Sequence, residues 1–212
     1  DEKPLASSLD DAGRLRDAAA SSLYQIGFVF RYSDFASGIK SIISRIGSPQ
    51  SCIFTVSDEQ ASSMDPKYMV KMQNILRHSS AINHEGSHFF DLFRFWKGPG
   101  FEFTSAKATA VRSDESFAGP NIWAASLLGN DGSILQLNIE WLMCETSESR
   151  VRISGPTGIL DASLRSGKCE VFVNGMTQEI QLPGFTQNWG RQLDYFARSI
   201  DDGKECGATY AD

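Results

Sequence analysis

The order of apolar and polar positions divides the chain into an early stretch of mixed helices and strands and a late run of strands. Ser8 followed three residues later by Asp11 resembles a capping arrangement and predicts a helix from residue 8 to about residue 22. Residues 23–32 are rich in β-formers and read as a strand. Ile39, Ile42, Ile43 and Ile46 recur at helical spacing and predict a helix over 35–46. A strand over 52–56, a polar loop over 57–67 and a short helix over 69–76 follow. Residues 83–96 are apolar almost all round the helical wheel, which predicts a buried helix.

Beyond residue 100 strands dominate. Phe101-Glu102-Phe103-Thr104 opens one; residues 123–128 and 133–142 flank the turn Gly129-Asn130-Asp131-Gly132, whose Asp-Gly chemistry suits a hairpin. Strands over 150–154, 158–163 and 169–173 lead to a second hairpin turn, Asn174-Gly175, and a strand over 178–182; a last helix covers 186–201. In the strand after the first hairpin, Leu135, Leu137, Ile139 and Trp141 share one side, and Gln136, Asn138 and Glu140 share the other. This order predicts an α+β fold, a large and mostly antiparallel open sheet with helices packed on one face. No internal repeat, low-complexity tract or interdomain linker interrupts it.

Composition narrows the function classes. The chain has 212 residues, enough to bury a sizeable core, with 41% hydrophobic and 22% charged residues, ordinary for a globular domain. Its net charge of −6 and scattered basic residues give no face for nucleic acid. No apolar run reaches membrane-spanning length. Cys52, Cys144, Cys169 and Cys206 are widely spaced, without a C-x-x-C pair, and read as free thiols of a cytoplasmic protein rather than a redox pair or zinc knuckle.

The stretch richest in chemistry is His84-Glu85-Gly86-Ser87-His88. Literally it is H-E-x-x-H, in which two imidazoles one helical turn apart hold zinc and the Glu is the base of a hydrolase. A catalytic zinc needs a third protein ligand, and the only other histidine, His78, lies upstream and off the register of such sites. Gly86-Ser87-His88-Phe89-Phe90-Asp91, followed by Leu92, Arg94 and the apolar Phe95-Trp96, supports another reading. It resembles the G-x-H-x-x-D catalytic helix of the Gfo/Idh/MocA family of NAD(P)-dependent sugar and polyol dehydrogenases. Glu2-Lys3-Pro4 resembles that family's E-K-P, Gly27-Phe28-Val29-Phe30-Arg31-Tyr32 its G-F-x-x-R-F/Y segment, and 192–203 its late helix, all in the family's order.

The resemblance implies a dehydrogenase C-terminal domain, of ferredoxin-reductase-like or glyceraldehyde-phosphate-dehydrogenase-like type, with NAD or NADP as cofactor. It implies a sugar, polyol or related hydroxy or keto substrate. It makes Lys3, His88 and His84 catalytic, places Glu2, Lys3 and Pro4 at the cofactor, and sets Arg31, Tyr32 and Glu85 at the substrate; no metal is implied. It further implies a homo-oligomer formed through the open sheet face. Two positions depart from the pattern. His84 stands where polyol-oxidising members carry an Asp, and Val29 where many carry a polar residue. No G-x-G-x-x-G occurs, so the phosphate cradle of a dinucleotide-binding fold is missing. Residues 1–22 accordingly read as the end of a nucleotide-binding domain, and 23–212 as a substrate-binding and oligomerisation domain of a longer polypeptide. A zinc-dependent hydrolase and a non-catalytic ligand-binding or assembly module stay open beside the dehydrogenase.

Overall fold

The computed structural model describes residues 6, 8–19, 22–58, 60–61, 65–143, 145, 147–186 and 188–203. Strands β1 (Ser51–Asp58), β2 (Phe103–Val111), β3 (Ile122–Gly129), β4 (Ile134–Trp141), β5 (Arg150–Gly155), β6 (Gly158–Ser163), β7 (Lys168–Val173) and β8 (Met176–Gln181) form one sheet in the order β2-β3-β4-β1-β5-β6-β7-β8. Only the β1–β4 pair is parallel; every other neighbouring pair is antiparallel. The expected α+β class, with a mostly antiparallel open sheet, is the fold found.

Register follows from burial. Two rows of side chains cross the sheet on its covered face. One runs Ala125, Leu137, Phe54, Val151, Ala162, Cys169; the next runs Leu127, Leu135, Cys52, Ile153, Leu160, Val171. All twelve are buried. A slip of one residue in any strand would turn its half-rows to water and bring polar residues inward, so the alternation seen in β4 fixes the pairing. The other face carries Gln136 and Asn138, both exposed, and the ion pair of Arg150 with Asp161 at 2.7 Å. It also carries Leu128, Ile134 and Phe172, each more than 40% exposed.

Five α-helices lie among the described residues: α1 (Leu9–Ala19), α2 (Asp34–Ile46), α3 (Pro66–His78), α4 (Ser87–Lys97) and α5 (Trp189–Asp202). The Ser8 hydroxyl accepts from the amide of Asp11 at 3.1 Å and donates to its carboxylate at 2.8 Å, which is the expected cap of α1. Helix α2 buries the predicted stripe of Ile39, Ile42, Ile43 and Ile46 against β5 and β6. The Trp96 indole N–H of α4 donates to the Ala36 carbonyl of α2 at 3.1 Å, and Phe54 lies 4.8 Å from Phe89 and 5.8 Å from Trp96 by ring centroids. No helix among the described residues is long and apolar enough to cross a membrane.

Two elements differ from the sequence reading. Residues 23–32 do not join the sheet. They run as irregular chain into a single 3₁₀ turn at Val29–Tyr32. Short-range backbone bonds, Phe28 N–H to the Ile26 carbonyl, Val29 to Gly27 and Ser33 to Phe30, replace a strand ladder there. Ile26, Val29 and Phe30 are instead buried, with the turn packed against α2, α4 and α5, so tertiary packing overrides β-propensity. The helix expected over 83–96 is also not uniform. It begins with a wide π turn at Ile82–Gly86 before α4 proper. Gly86 lets that turn lie directly on β4: a Cβ there would stand 3.0 Å from Leu137 Cδ2 and 2.9 Å from Ile82 Cγ1.

The β3–β4 hairpin is anchored to α4 by charge. Lys97, 4% exposed at its side chain, pairs with Asp131 in the turn and donates to the Pro49 carbonyl at 2.7 Å. Burial pushes the Asp131 carboxyl up, but the hydrogen bonds from Lys97 and Ser133 outweigh it and hold the group at about 2, below its ordinary 3.8. The folded chain therefore binds this proton more weakly than the unfolded chain. The stabilisation is complete above about pH 4 and is lost as pH falls toward 2. The thermal midpoint should fall over that window, and Asp131→Asn should lower the midpoint at pH 6 while flattening its fall between pH 4 and 2. An unchanged acid slope in Asp131→Asn would show that this pair does not carry it.

Candidate active site

The site is organised by one buried ion pair. The 3₁₀ turn carries Arg31 inward, where its Nε donates to both carboxylate oxygens of Asp91 on α4 at 2.8 and 2.7 Å; Nη2 lies 2.5 Å from Oδ1. The side chains are 6% and 2% exposed. The guanidinium also sits 5.8 Å from the Phe95 ring. A charged guanidinium Nε shared by both oxygens of one carboxylate ties two elements together in distance and direction. Arg31 thereby locks the turn against α4 at the level of His88, one helical turn before Asp91.

Phe30, adjacent to Arg31, is set by that lock. Its ring stacks on the His88 imidazole at 4.0 Å between centroids and 28° between planes, and meets Phe185 edge-on at 4.3 Å. Phe28 approaches the same imidazole edge-on at 6.1 Å. His88 is 5% exposed. Above this aromatic layer lies a cavity of about 260 Å³. Phe30, Phe89 and Phe185 form its apolar side, and Asp58, Glu85 and Arg165 bring charge to its walls.

The wide turn before α4 separates the other candidates. Glu85 reaches the cavity, and its Oε2 accepts the Trp141 indole N–H at 2.6 Å. His84 is exposed and meets the Trp141 ring edge-on at 5.7 Å. Arg31 and Tyr32 border a different and larger cavity of about 520 Å³, closed by Tyr195, Arg191 and Arg198 of α5. The Tyr32 hydroxyl accepts from Gln25 Nε2 at 2.9 Å. Glu85 thus lies at one cavity and Arg31 and Tyr32 at another, while His88 is covered by Phe30, which lines the first. Glu2, Lys3 and Pro4 fall outside the described residues.

Sequence reasoning did not single out Phe30, Phe185, Asp58, Arg165 or Trp141. Phe185 follows the last strand and meets Phe30 only through the fold. Trp141 did carry a signal, because its place in the β4 alternation predicts an inward ring that can meet the helix crossing β4.

An imidazole can exchange a proton with a hydroxyl that reaches it; here Phe30 both stacks on His88 and lines the cavity. The zinc reading fares differently. The described residues contain no group of three His, Cys, Asp or Glu side chains placed to hold a metal ion. The two described thiols are held in the protonated form by burial. Burial pushes Cys52 well above its ordinary value, while burial and then the charges of Asp161 and Glu170 raise Cys169 to about 11. Cys144 and Cys206 lie outside the described residues.

No protein-family model and no curated protein matches the chain. Solved structures do. The chain aligns over its full length, at 18% identity and a TM-score of 0.79, with 65% of an oxidoreductase from Agrobacterium radiobacter in complex with NAD+, L-tartaric acid and magnesium. It aligns over its full length, at 18% identity and a TM-score of 0.77, with 64% of an aldose-aldose oxidoreductase from Caulobacter crescentus complexed with glycerol. An inositol dehydrogenase homologue from Azotobacter vinelandii complexed with NAD+ is covered over 61% of its length by 95% of this chain, at 15% identity and a TM-score of 0.77. At this identity the likeness shows the fold: the chain has the fold of the part of these oxidoreductases that it covers. It spans less than two thirds of their length.

Removing one partner of a buried ion pair leaves the other charge uncompensated, which costs about 3–5 kcal/mol. Asp91→Ala should lower the unfolding free energy in urea by about that amount, whereas Arg31→Met combined with Asp91→Leu should recover most of it. A loss in Asp91→Ala under about 1 kcal/mol, within the range of an exposed pair, would refute the lock.

Proposed function

We propose that the chain is the substrate-side domain of an NAD(P)-dependent oxidoreductase acting on a sugar, a polyol or a related hydroxy or keto compound. The observation that carries this reading is the position of His88. It sits on the helix that the resemblance marks as catalytic, in a fold shared over the chain's whole length with oxidoreductases, and under Phe30, which lines a cavity that Asp58 and Glu85 also line. Residues 1–22 then close a nucleotide-binding domain, and 23–212 bind substrate and associate through the open sheet face. The buried free thiols of Cys52 and Cys169 agree with a reducing, cytoplasmic setting.

The given sequence contains no G-x-G-x-x-G that would cradle a pyrophosphate. NAD or NADP is therefore assigned to a separate domain, where it would serve as the hydride carrier. The residues here serve the proton side. His88 takes the hydroxyl proton as an alcohol becomes a carbonyl and returns it in the reverse direction. Lys3, on the same reading, stabilises the alkoxide. Glu85, fixed by Trp141, holds a neighbouring hydroxyl, and His84 stands where relatives of the resembled type place a carboxylate to assist. The face of α5 that carries Trp189, Leu193 and Ile200, all about half exposed or more, is where we place the nucleotide-binding domain. Helix α5 buries Gln192 and Ser199 instead, an inversion that a covering domain accounts for.

Two measurements test this. Isothermal titration of the chain alone with NAD and NADP should show no micromolar binding; such affinity would place the cradle here and overturn the division of labour. In the protein carrying its nucleotide-binding domain, assayed against myo-inositol, aldoses and their acids, His88→Ala should lower turnover by roughly two to four orders of magnitude with little change in nucleotide affinity. Near-normal turnover in His88→Ala would remove the catalytic assignment.

A further inference from the structure

The cavity and the imidazole do not meet. Phe30 and Phe89 line the 260 Å³ cavity, and His88 is not among its lining residues. Phe30 is what lies between them. One edge of its environment is the cavity, one face of its ring covers the imidazole at 4.0 Å, and Phe185 packs edge-on at 4.3 Å. The residue is itself 8% exposed and His88 5%. A hydroxyl bound in the cavity therefore faces a phenyl ring, and hydrogen bonding to an imidazole nitrogen requires heavy-atom approach of about 3 Å, which an intervening ring forbids.

We propose that Phe30 is a positioning residue for His88: it holds the imidazole plane by stacking and shields it from the cavity, and substrate reaches His88 only when the Phe30 ring swings aside. The arrangement suits such a motion. Phe30 lies in a single 3₁₀ turn rather than in a ladder of the sheet, so its side chain can move without breaking strand pairing. Arg31, the next residue, holds the backbone of that turn on Asp91, so the ring moves while the turn stays. The ring also sets a requirement on substrate. With Phe30, Phe89 and Phe185 on one side and Asp58, Glu85 and Arg165 on the other, the cavity takes a molecule with one apolar face and one hydroxyl-bearing face, and the apolar face is what displaces Phe30.

This inference rests on the reading of His88 as the proton-exchanging group, but its test needs neither cofactor nor turnover. The chain contains three histidines, of which His78 and His84 are exposed. Diethyl pyrocarbonate carbethoxylates accessible imidazoles, and mass spectrometry resolves each site. In the unsubstituted chain His88 should react at least ~10-fold more slowly than His84, because reaction waits on a local opening. Phe30→Ala should raise the His88 rate by roughly that factor while leaving His78 and His84 unchanged, and Phe30→Tyr, which keeps a ring over the imidazole, should restore protection. Circular dichroism checks that each variant is folded. If Phe30→Ala does not fold, Phe30→Leu is read instead and should give an intermediate rate. A His88 as reactive as His84 in the unsubstituted chain, or one still protected in a folded Phe30→Ala or Phe30→Leu, overturns the proposal. A failed dehydrogenase assay alongside a confirmed shield would remove the function proposed above and leave the shield standing.

Discussion

The Arg31–Asp91 pair is the constraint on which the rest of the site depends. Two charges are taken almost wholly out of water, at a cost that their mutual attraction repays only with good geometry. Here Nε donates to both oxygens of one carboxylate, with Nη2 at ion-pair distance. What such a pair secures better than apolar packing is placement, because a hydrophobic contact tolerates sliding whereas directional charged hydrogen bonds do not. It ties an irregular stretch, which has no ladder bonds to hold it, to the helix bearing His88. Phe30 and Phe28 inherit their positions on the imidazole from that tie.

The second constraint is the wide turn that begins α4. A regular helix through residues 83–88 would set His84 and His88 on one face, one turn apart, as both the zinc reading and an acid–base pair require. The π turn at Ile82–Gly86 breaks that phase. Extra-residue turns of this kind recur at functional sites because they re-aim side chains while the helix continues. Here the turn puts Glu85 at the cavity and leaves His84 on the exposed side of Trp141. It depends on Gly86, whose missing Cβ lets the turn press on Leu137 and Ile139 of the sheet.

The sheet supplies the rigid floor. Its two buried rows run unbroken from β3 to β7, and α2 and α4 close them from one side, so the helix with His88 stands on packed side chains that have little room to rearrange. The hairpin turn at Asp131 is drawn to the end of the same helix by Lys97, so α4 is held by charge at its middle, through Asp91, and at its close. The open face and the outward side of α5 are among the surfaces where apolar residues remain uncovered.

Much of this was legible in the sequence. Period-two alternation in 133–142 and the Asn-Gly and Asp-Gly turns determined the strands, their turns and the face each side chain would take, because burial of one face leaves no other register. The isoleucine stripe determined α2, and the Ser8–Asp11 cap the start of α1. The motif order pointed to the fold and to the helix of His88. Other features were decided only by tertiary structure. Residues 23–32 have a strand's composition, yet the centre of the sheet is filled by β4, β1 and β5, and the segment packs on α4 instead. The phase break at Gly86 has no local signature, since it arises from contact with β4. Phe30, Phe185 and His88 are distant in sequence, and nothing in their spacing announces that they share one aromatic layer. Local pattern is written in neighbouring residues and can be read from them; which side chains meet across elements is set by packing, and packing exists only in the folded chain.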